Sequence, residues 1–300
     1  MKLSRGDHFM QAVIYVLLIM LGFVTLYPFW NSLVISFNVG SDTALGGVGI
    51  WPRAFTLENY YIVLQDTRLL KALLVTVSRT VAGTALSIFF TALLAYGMSK
   101  RELIGKKFYV LFTIFTLYFS GGLIPFYLLC RALGLMDTFW VMIIPGVISV
   151  YNMIIFRTFF MGLPDGLEES AKIDGCSHFG VFFRIVVPVS GAVIATLSLF
   201  TAVFHWNDWF GPTIFIQNPN LIPIQTLLTQ IVNSNAMTEQ LQSITGGNAA
   251  AMDELQRART ITSKSLTMAT MMVATIPIVL IYPFIQRHFI KGVLIGSLKG

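Results

Sequence analysis

Residues 11–36 read QAVIYVLLIMLGFVTLYPFWNSLVIS, a run of 26 positions without a charged side chain. About 20 consecutive apolar residues allow an α-helix to cross the hydrocarbon core of a bilayer. The run follows Lys2 and Arg5, as the core of a secretory signal would. However, it is too long for such a core and has no small-residue cleavage site before Phe29-Trp30. We therefore predict that it is a membrane-spanning helix.

Five further apolar stretches are long enough to span, which predicts an all-α polytopic membrane protein with about six transmembrane helices. They are residues 70–97, 108–130, 139–160, 185–210 and 266–286. Of the 300 residues, 55% are hydrophobic and 11% are charged, and the mean hydropathy is +0.74. A soluble domain carries roughly 25% charged residues. The composition therefore excludes a water-soluble globule and favours a single membrane domain over residues 1–300.

The net charge of +6 is explained by orientation in the membrane rather than by nucleic acid, because the basic residues are scattered among short loops. With six spans, twelve Lys and Arg fall on the side of the termini and seven on the other, while Arg79 lies inside a span. Basic residues are enriched in cytoplasmic loops. Both termini are therefore predicted to be cytoplasmic, and no nucleic-acid partner is expected.

Two segments on the outer side are long. In residues 37–69, Thr56 is suited to cap a short helix. Residues 211–265 begin with turn-forming residues and continue with an apolar helix near Ile224–Val232. Long ordered loops are usually functional, so we expect this outer loop to contact a binding partner.

Residues 163–175, LPDGLEESAKIDG, lie in the cytoplasmic segment 161–188 between the fourth and fifth spans. Pro164 suits the first turn of a helix, acidic residues favour its N-terminal half, and Gly175 can terminate it. The pattern predicts a short surface helix. Taken alone, it fits a capped connector at the membrane interface as well as a docking element.

The spacing of this segment carries a resemblance. Glu169-Ser170-Ala171 is followed by Gly175, Ile185 and Pro188. This resembles the EAA loop of ABC-importer permeases, which reads Glu-Ala-Ala, three residues, Gly, nine residues, Ile, any residue and Leu-Pro. Ser stands for the first Ala and Val187 for the Leu, and both changes in bulk are small. The position before the penultimate span also fits the family.

Three more stretches are similar to the carbohydrate-uptake branch of that family. Residues 55–60, FTLENY, resemble its outer entry to the second span. Residues 206–209, WNDW, resemble a segment of maltose-type permeases. Residues 282–292 resemble permeases for complex or acidic oligosaccharides such as aldouronate or alginate fragments. The resemblance covers nearly the whole chain.

The resemblance implies a type I importer permease of the bacterial inner membrane whose EAA helix docks onto a separate ATPase. The expected coupling residues are Glu168, Glu169, Ser170, Ala171, Asp174, Gly175 and Pro188. The other implied partners are a second homologous permease, a periplasmic or extracellular solute-binding protein, an oligosaccharide and the lipid bilayer. The chain lacks a Gly-x-x-x-x-Gly-Lys-Ser/Thr loop. We therefore expect no catalytic residues, metal or cofactor on this chain, with ATP and Mg on a partner ATPase dimer.

Several residues in or at the ends of spans are candidates for the substrate pathway: Arg79, Tyr151, Asn152, Trp206, Asn207, Asp208 and Trp209. Arg79 either reaches the interface or a backbone carbonyl, or else faces a cavity and an anionic substrate. Asn152 either joins two helices or binds a sugar hydroxyl. The Trp-rich segment either anchors the chain at the interface or binds pyranose rings.

Two other classes of protein are less consistent with the sequence. A secondary, ion-coupled sugar transporter usually needs buried acids or broken helices, and no carboxylate is predicted deep in a span. A polytopic enzyme would need a nucleophile–base or metal-ligand arrangement, and no such spacing occurs. The permease of an ATP-driven sugar importer is therefore the predicted function.

Overall fold

A computed structural model describes residues 5–244 and 264–280. Within these ranges the backbone is helical and contains no strand, with one isolated antiparallel bridge between Asn38 and Phe55. The all-α prediction is confirmed for this part of the chain. The stretch 282–292, which carries part of the resemblance, lies outside it.

Fourteen helices follow one another in the described ranges. They are α1 (Arg5–Ser36), α2 (Gly40–Ala44), α3 (Glu58–Gln65), α4 (Thr67–Ser99), α5 (Lys106–Tyr118), α6 (Leu123–Ala132), α7 (Val150–Met161), α8 (Asp165–Ile173), α9 (His178–Val181), α10 (Val187–Val189), α11 (Gly191–Asn207), α12 (Phe210–Phe215), α13 (Ile224–Ile244) and α14 (Lys264–Leu280). Two 3₁₀ turns, Phe139–Met142 and Ile144–Gly146, precede α7. A π-helical turn, Phe182–Val186, joins α9 to α10.

Within the described ranges, two helices are long and apolar enough to cross a membrane alone, α1 over Gly6–Ser36 and α4 over Thr67–Ser99. Three bent pairs of helices raise the number of spans to as many as five. The shorter apolar helix α14 covers most of the predicted span 266–286, whose last six positions lie outside the described residues.

The predicted span 108–130 is wrong as a single helix. Its two parts, α5 and α6, are bent by 113° relative to each other. Gly121-Gly122 lies in the link, and Gly122 has a φ of +87°, a backbone conformation that glycine adopts far more readily than other residues. A pair of glycines inside an apolar stretch therefore breaks the helix although the hydropathy of the stretch stays high.

The predicted spans 139–160 and 185–210 are also broken. The first bends by 47° between the 3₁₀ turns and α7, where Pro145 and Gly146 stand. The second bends by 83° between residues 189 and 191 and ends at Asn207. Proline lacks an N–H group and crowds the carbonyl four residues earlier, so Pro188 accounts for the π-helical turn just before it.

The outer segments agree with the predicted short helices. The Thr56 hydroxyl accepts a hydrogen bond from the backbone N–H of Glu58 (3.1 Å), and α3 begins there. Helix α13 begins at Ile224 as expected and continues to Ile244. The remainder of the outer loop up to residue 263 lies outside the described residues.

Internal contacts divide the chain into two compact units. Among the described residues, the first comprises 5–69, 228–244 and 264–276, and the second comprises 70–227 and 277–280. The single domain predicted for residues 1–300 stays a prediction.

In the first unit, Asn38 organises the outer segment. Its side-chain amide donates to Asp42 Oδ2 (2.8 Å) and Thr43 Oγ1 (3.0 Å), and its Oδ1 accepts from the N–H of Ala54 (2.9 Å). The bond from Asn38, together with the guanidinium of Arg53, holds the pKa of Asp42 below its usual range. The buried Asn38 thus replaces several backbone hydrogen bonds that a helix would have provided.

In the second unit, the larger apolar core joins α4, α7 and α11 to the connector of residues 161–188. Its members include Tyr96, Met153, Phe156, Phe160, Ala171, Phe182, Val186 and Leu197. A smaller core links α6, the first 3₁₀ turn and α12 through Cys130, Val141, Met142 and Phe215. The connector is therefore packed into the same core as the spans.

Helix α4 approaches α11 closely at Gly83. A Cβ atom added to Gly83 would lie 2.6 Å from Nε2 of His205 and 2.9 Å or less from two ring carbons. Gly97, on the same helix, has no such neighbour within 4 Å. Contact between the two helices at this level therefore requires the absence of a side chain at position 83.

We expect Gly83→Ala to destabilise the protein by about 1–3 kcal/mol, as overpacking does. The matched variant Gly97→Ala should be neutral or stabilising by up to about 1 kcal/mol, because Ala is the better helix former. Thermal unfolding of the purified complex in detergent measures both. Equal midpoints for the two variants would contradict the close contact at Gly83.

Candidate functional site

Helix α8 is fixed at both ends by its own sequence. Pro164 occupies the N-cap position, and its carbonyl accepts from the N–H of Leu167 (3.2 Å). At the other end Gly175 has a φ of +80°. The N–H of Gly175 donates to the carbonyl of Lys172 (3.0 Å) and that of Cys176 to the carbonyl of Ala171 (2.9 Å). This is the Schellman arrangement, so the predicted termination at Gly175 is confirmed.

One side of α8 is held against the segment that follows α4. Glu168 forms an ion pair with Lys100, whose ammonium also lies 3.9 Å from the centre of the Tyr96 ring. Asp165 pairs with Arg101 at 3.6 Å, and Lys172 lies 4.0 Å from Glu102. The ion pairs fix the orientation of the helix about its own axis.

Two of the predicted coupling residues are used inside the chain. Ala171 is buried in the large core, so its side chain packs inside the chain and is not available to a partner. Glu168 is engaged by Lys100 rather than left free for a partner. Both face inward because residues three apart share a side of a helix, and that side packs on α4.

The opposite side of α8 is exposed. It presents Glu169 and Ser170, and beyond them Ile173, which is 87% exposed. Asp174 and Gly175 are exposed at the end of the helix, and Pro188 is exposed in α10. Sequence reasoning gave no role to Ile173, because a single apolar residue on the surface of a helix is common.

Arg79 and Asp208 form a buried ion pair between α4 and the end of α11. Arg79 is 1% exposed; its Nη2 pairs with the Asp208 carboxylate and its Nη1 donates to the Asp208 carbonyl (3.0 Å). The second carboxylate oxygen accepts from the N–H of Gly211 (3.1 Å). The guanidinium is thus neutralised within the chain, and the backbone-carbonyl contact that the sequence left open for Arg79 is present.

The remaining candidates for the substrate pathway are not brought together. Tyr151 is 63% exposed and Trp209 is 45% exposed, whereas Trp206 is buried; Asn207 is exposed. Asn152 is buried, and its side-chain amide donates to Thr201 Oγ1 (3.2 Å). The predicted helix-to-helix bond of Asn152 is therefore present.

A cavity of about 360 Å³ lies beside Asn152. Its walls are formed by Ser87, Gly146, Ser149, Asn152, Phe200, Thr201, Phe204 and His205. These residues come from α4, the break before α7, α7 itself and α11. Sequence reasoning identified Asn152 alone among them, because the others are separated along the chain and carry no spacing signal.

Among the described residues, no cluster of three or more His, Cys, Asp or Glu side chains is arranged to hold a metal ion. The polar groups of α8, and those around Arg79 and Asn152, instead form ion pairs, helix caps and single hydrogen bonds. Their arrangement suits docking and ligand binding.

Three comparisons with known proteins agree with one another. A family model described as "binding-protein-dependent transport system inner membrane component" matches residues 68–295. The polygalacturonan/rhamnogalacturonan transport system permease protein YtcP of Bacillus subtilis is 40% identical over 96% of this chain and 97% of its own. Protein LplC of the same organism is 41% identical over 93% of this chain and 91% of its own.

A solved structure shares the fold. It is that of a bacterial ABC transporter involved in the import of the acidic polysaccharide alginate, with a TM-score of 0.83. The alignment covers 96% of this chain and 99% of the other, at 24% sequence identity. At this identity the likeness concerns the fold.

The ion pair predicts how variants of Arg79 behave. Arg79→Gln leaves the Asp208 carboxylate, which is 19% exposed, without a charged partner, at a cost of about 3 kcal/mol, the lower end of the range for buried pairs. Complex yield and uptake should therefore fall together. Asp208→Asn should behave alike, and the double variant Arg79→Gln/Asp208→Asn should recover much of the yield because no unpaired charge remains.

The exposed pair of Arg68 and Asp66 is the control. The Arg68 side chain is 79% exposed, so Arg68→Gln should change stability by less than about 1 kcal/mol. Complex yield and uptake measured side by side decide the matter. Normal yield with abolished uptake in Arg79→Gln would contradict a structural pair and favour a direct contact with substrate.

Proposed function

Because the chain belongs to the family of binding-protein-dependent transport system inner membrane components, we propose that it forms half of the pore of an ATP-driven importer of acidic oligosaccharides. The family match and the relatives confirm the predicted recognition: the chain is a permease subunit of a sugar importer and not an enzyme. They lend no support to an ion-coupled carrier. The shared fold confirms the predicted importer-permease fold.

The observation that carries ATP coupling is the construction of α8. It is a capped helix held on one side by ion pairs and exposed on the other, with Glu169 and Ile173 pointing away from the chain's own core. An exposed apolar residue beside an acid suits a groove that has an apolar floor and a basic rim. We assign this exposed side, with Ser170, Asp174 and Gly175, to the contact with an ATPase subunit.

The proposal includes the rest of the assembly. A second homologous permease completes the pore, an ATPase dimer binds ATP and Mg, and a solute-binding protein delivers the sugar on the outer side. Both termini are cytoplasmic, as the distribution of basic residues favours. Closure of the ATPase dimer moves α8, and its attachment to α4 carries the movement into the spans, which alternately open to either side.

The substrate class rests on relatives. The permease YtcP is named for polygalacturonan and rhamnogalacturonan, and the structural neighbour imports alginate, an acidic polysaccharide. Both names point to sugars that carry carboxylates. We therefore propose oligosaccharides with uronate units as the transported class.

Two variants test the coupling surface. Glu169→Lys and Ile173→Asp change exposed side chains, so membrane insertion and folding should be normal. Each should reduce uptake and sugar-stimulated ATP hydrolysis at least about tenfold, since like charge or a desolvated carboxylate at an interface costs more than 1.4 kcal/mol. Lys107→Glu, a charge reversal at an exposed residue of α5 outside the coupling surface, is the control. Normal uptake with normal ATP stimulation in both variants would exclude this surface.

Uptake into proteoliposomes that contain the complete importer tests the function itself. Labelled trigalacturonate should enter in the presence of internal ATP and binding protein, whereas labelled maltotriose should not enter. Uptake driven by a proton or sodium gradient without ATP would overturn the transport class. ATP-driven uptake of maltotriose alone would overturn the proposed substrate and leave the transport class intact.

A further inference from the structure

The broken span before α7 lies at the cavity beside Asn152. The backbone is irregular between Gly146 and Ser149, and the hydroxyl of Ser149 caps α7 by accepting from the N–H of Asn152 (3.3 Å). Thr91 of α4 supports the break by accepting from the N–H of Ser149 (3.2 Å). Irregular backbone at membrane depth is tolerated where it is buried in protein or lines a wet cavity.

The cavity lies well inside the membrane. Ser87, in its wall, precedes the cytoplasmic end of α4 at Ser99 by twelve residues, which corresponds to about 18 Å along a helix. The hydrocarbon core is about 30 Å thick. The cavity is therefore near the middle of the bilayer, where transporters bind substrate at breaks in their helices.

The polar groups in the wall are hydroxyl, amide and imidazole groups, and the imidazole of His205 has a nitrogen without a hydrogen-bond partner among the described residues. His205 is 4% exposed, and this nitrogen is its Nδ1. Its ring packs tightly against Gly83, so it cannot turn easily to find one. Buried polar groups are normally paired, and a hydroxyl entering the cavity would supply the missing partner.

Two aromatic rings complete the wall. Phe200 and Phe204 stand four residues apart on α11, so they share one side of that helix. They are 49% and 64% exposed, and both line the cavity. Apolar and aromatic walls with a few placed polar groups are typical of small-molecule sites, whose volumes begin at about 300 Å³.

We propose that this cavity binds one pyranose unit of the transported sugar through its hydroxyl groups and one ring face. The proposal rests on the proposed function and locates substrate contacts within this chain. The wall contains no Lys, Arg, Asp or Glu, and Arg79 is already paired with Asp208. The site therefore recognises features that acidic and neutral sugars share, and selection for carboxylates resides elsewhere in the importer.

Single cysteines test the site in the assembled importer. Ser87→Cys and Ser149→Cys, each in a Cys130→Ala/Cys176→Ser background, place a thiol in the wall with little change in size. Ser198→Cys is the matched control, because Ser198 lies on α11 in a separate groove with Thr80 and Thr84. A small methanethiosulfonate reagent reports the accessibility of each thiol.

Saturating trigalacturonate, delivered by the binding protein, should slow labelling at positions 87 and 149 about tenfold, as occupancy of a site does at ten times its Kd. Its methyl ester, supplied at the same occupancy, should protect equally because the hydroxyls are retained. Labelling at position 198 should not change. Protection by the acid but not by the ester would overturn a hydroxyl-reading site.

A cavity-filling variant supplies a second measurement. Gly146→Leu places a side chain where no heavy atom lies within 4 Å of the new Cβ. The yield of the assembled complex should therefore persist while uptake falls at least tenfold. If the variant takes up sugar normally, the cysteines are not protected and the wild-type importer is active, the cavity is not a sugar-binding site. Failure of wild-type ATP-driven uptake would instead overturn the proposed function.

Discussion

Inside a bilayer, a polar group has no water to bind, so a charged side chain there depends on a partner from another part of the chain. Arg79 is the most demanding case, because an unpaired charge at that depth costs at least about 2.5 kcal/mol. Its partner Asp208 ends α11 and simultaneously caps the start of α12. The hydroxyl of Thr76, also on α4, satisfies the backbone N–H of Ile224 by accepting its hydrogen bond (2.8 Å). The turn after the fifth span and the start of α13 are therefore both positioned by polar groups of α4.

The connector of residues 161–188 is stabilised differently from the membrane spans. Water can satisfy its polar groups, so its ion pairs with residues 100–102 orient the helix more than they stabilise it. Burial of Ala171 in the core of the spans adds the apolar contact that surface charges lack. A force applied to the exposed side of α8 is thus transmitted to α4 through packed atoms rather than through a flexible loop.

Composition and local spacing were sufficient to predict the helical membrane fold, the bounds of α8 and its end at Gly175, because these depend on near neighbours along the chain. They were insufficient where the outcome depends on distant residues. Arg79 and Asp208 are 129 positions apart, and the inward side of α8 is set by α4. The break at Gly121-Gly122 was missed because an average over an apolar stretch conceals two glycines. The cavity wall combines residues from α4, the break before α7, α7 and α11, and Asn152 was the one residue among them that the sequence suggested as a substrate contact.

The neutralised pair of Arg79 and Asp208 has an electrical consequence. Moving one elementary charge through the full potential requires about 2.3 kcal/mol per 100 mV. Because the two opposite charges belong to helices that are joined at this point, a movement of α4 displaces both together and almost no net charge. The resting potential of the cell therefore does little work on this part of the permease. Any voltage dependence of transport then reports the charge of the sugar itself, together with that of the partner subunits.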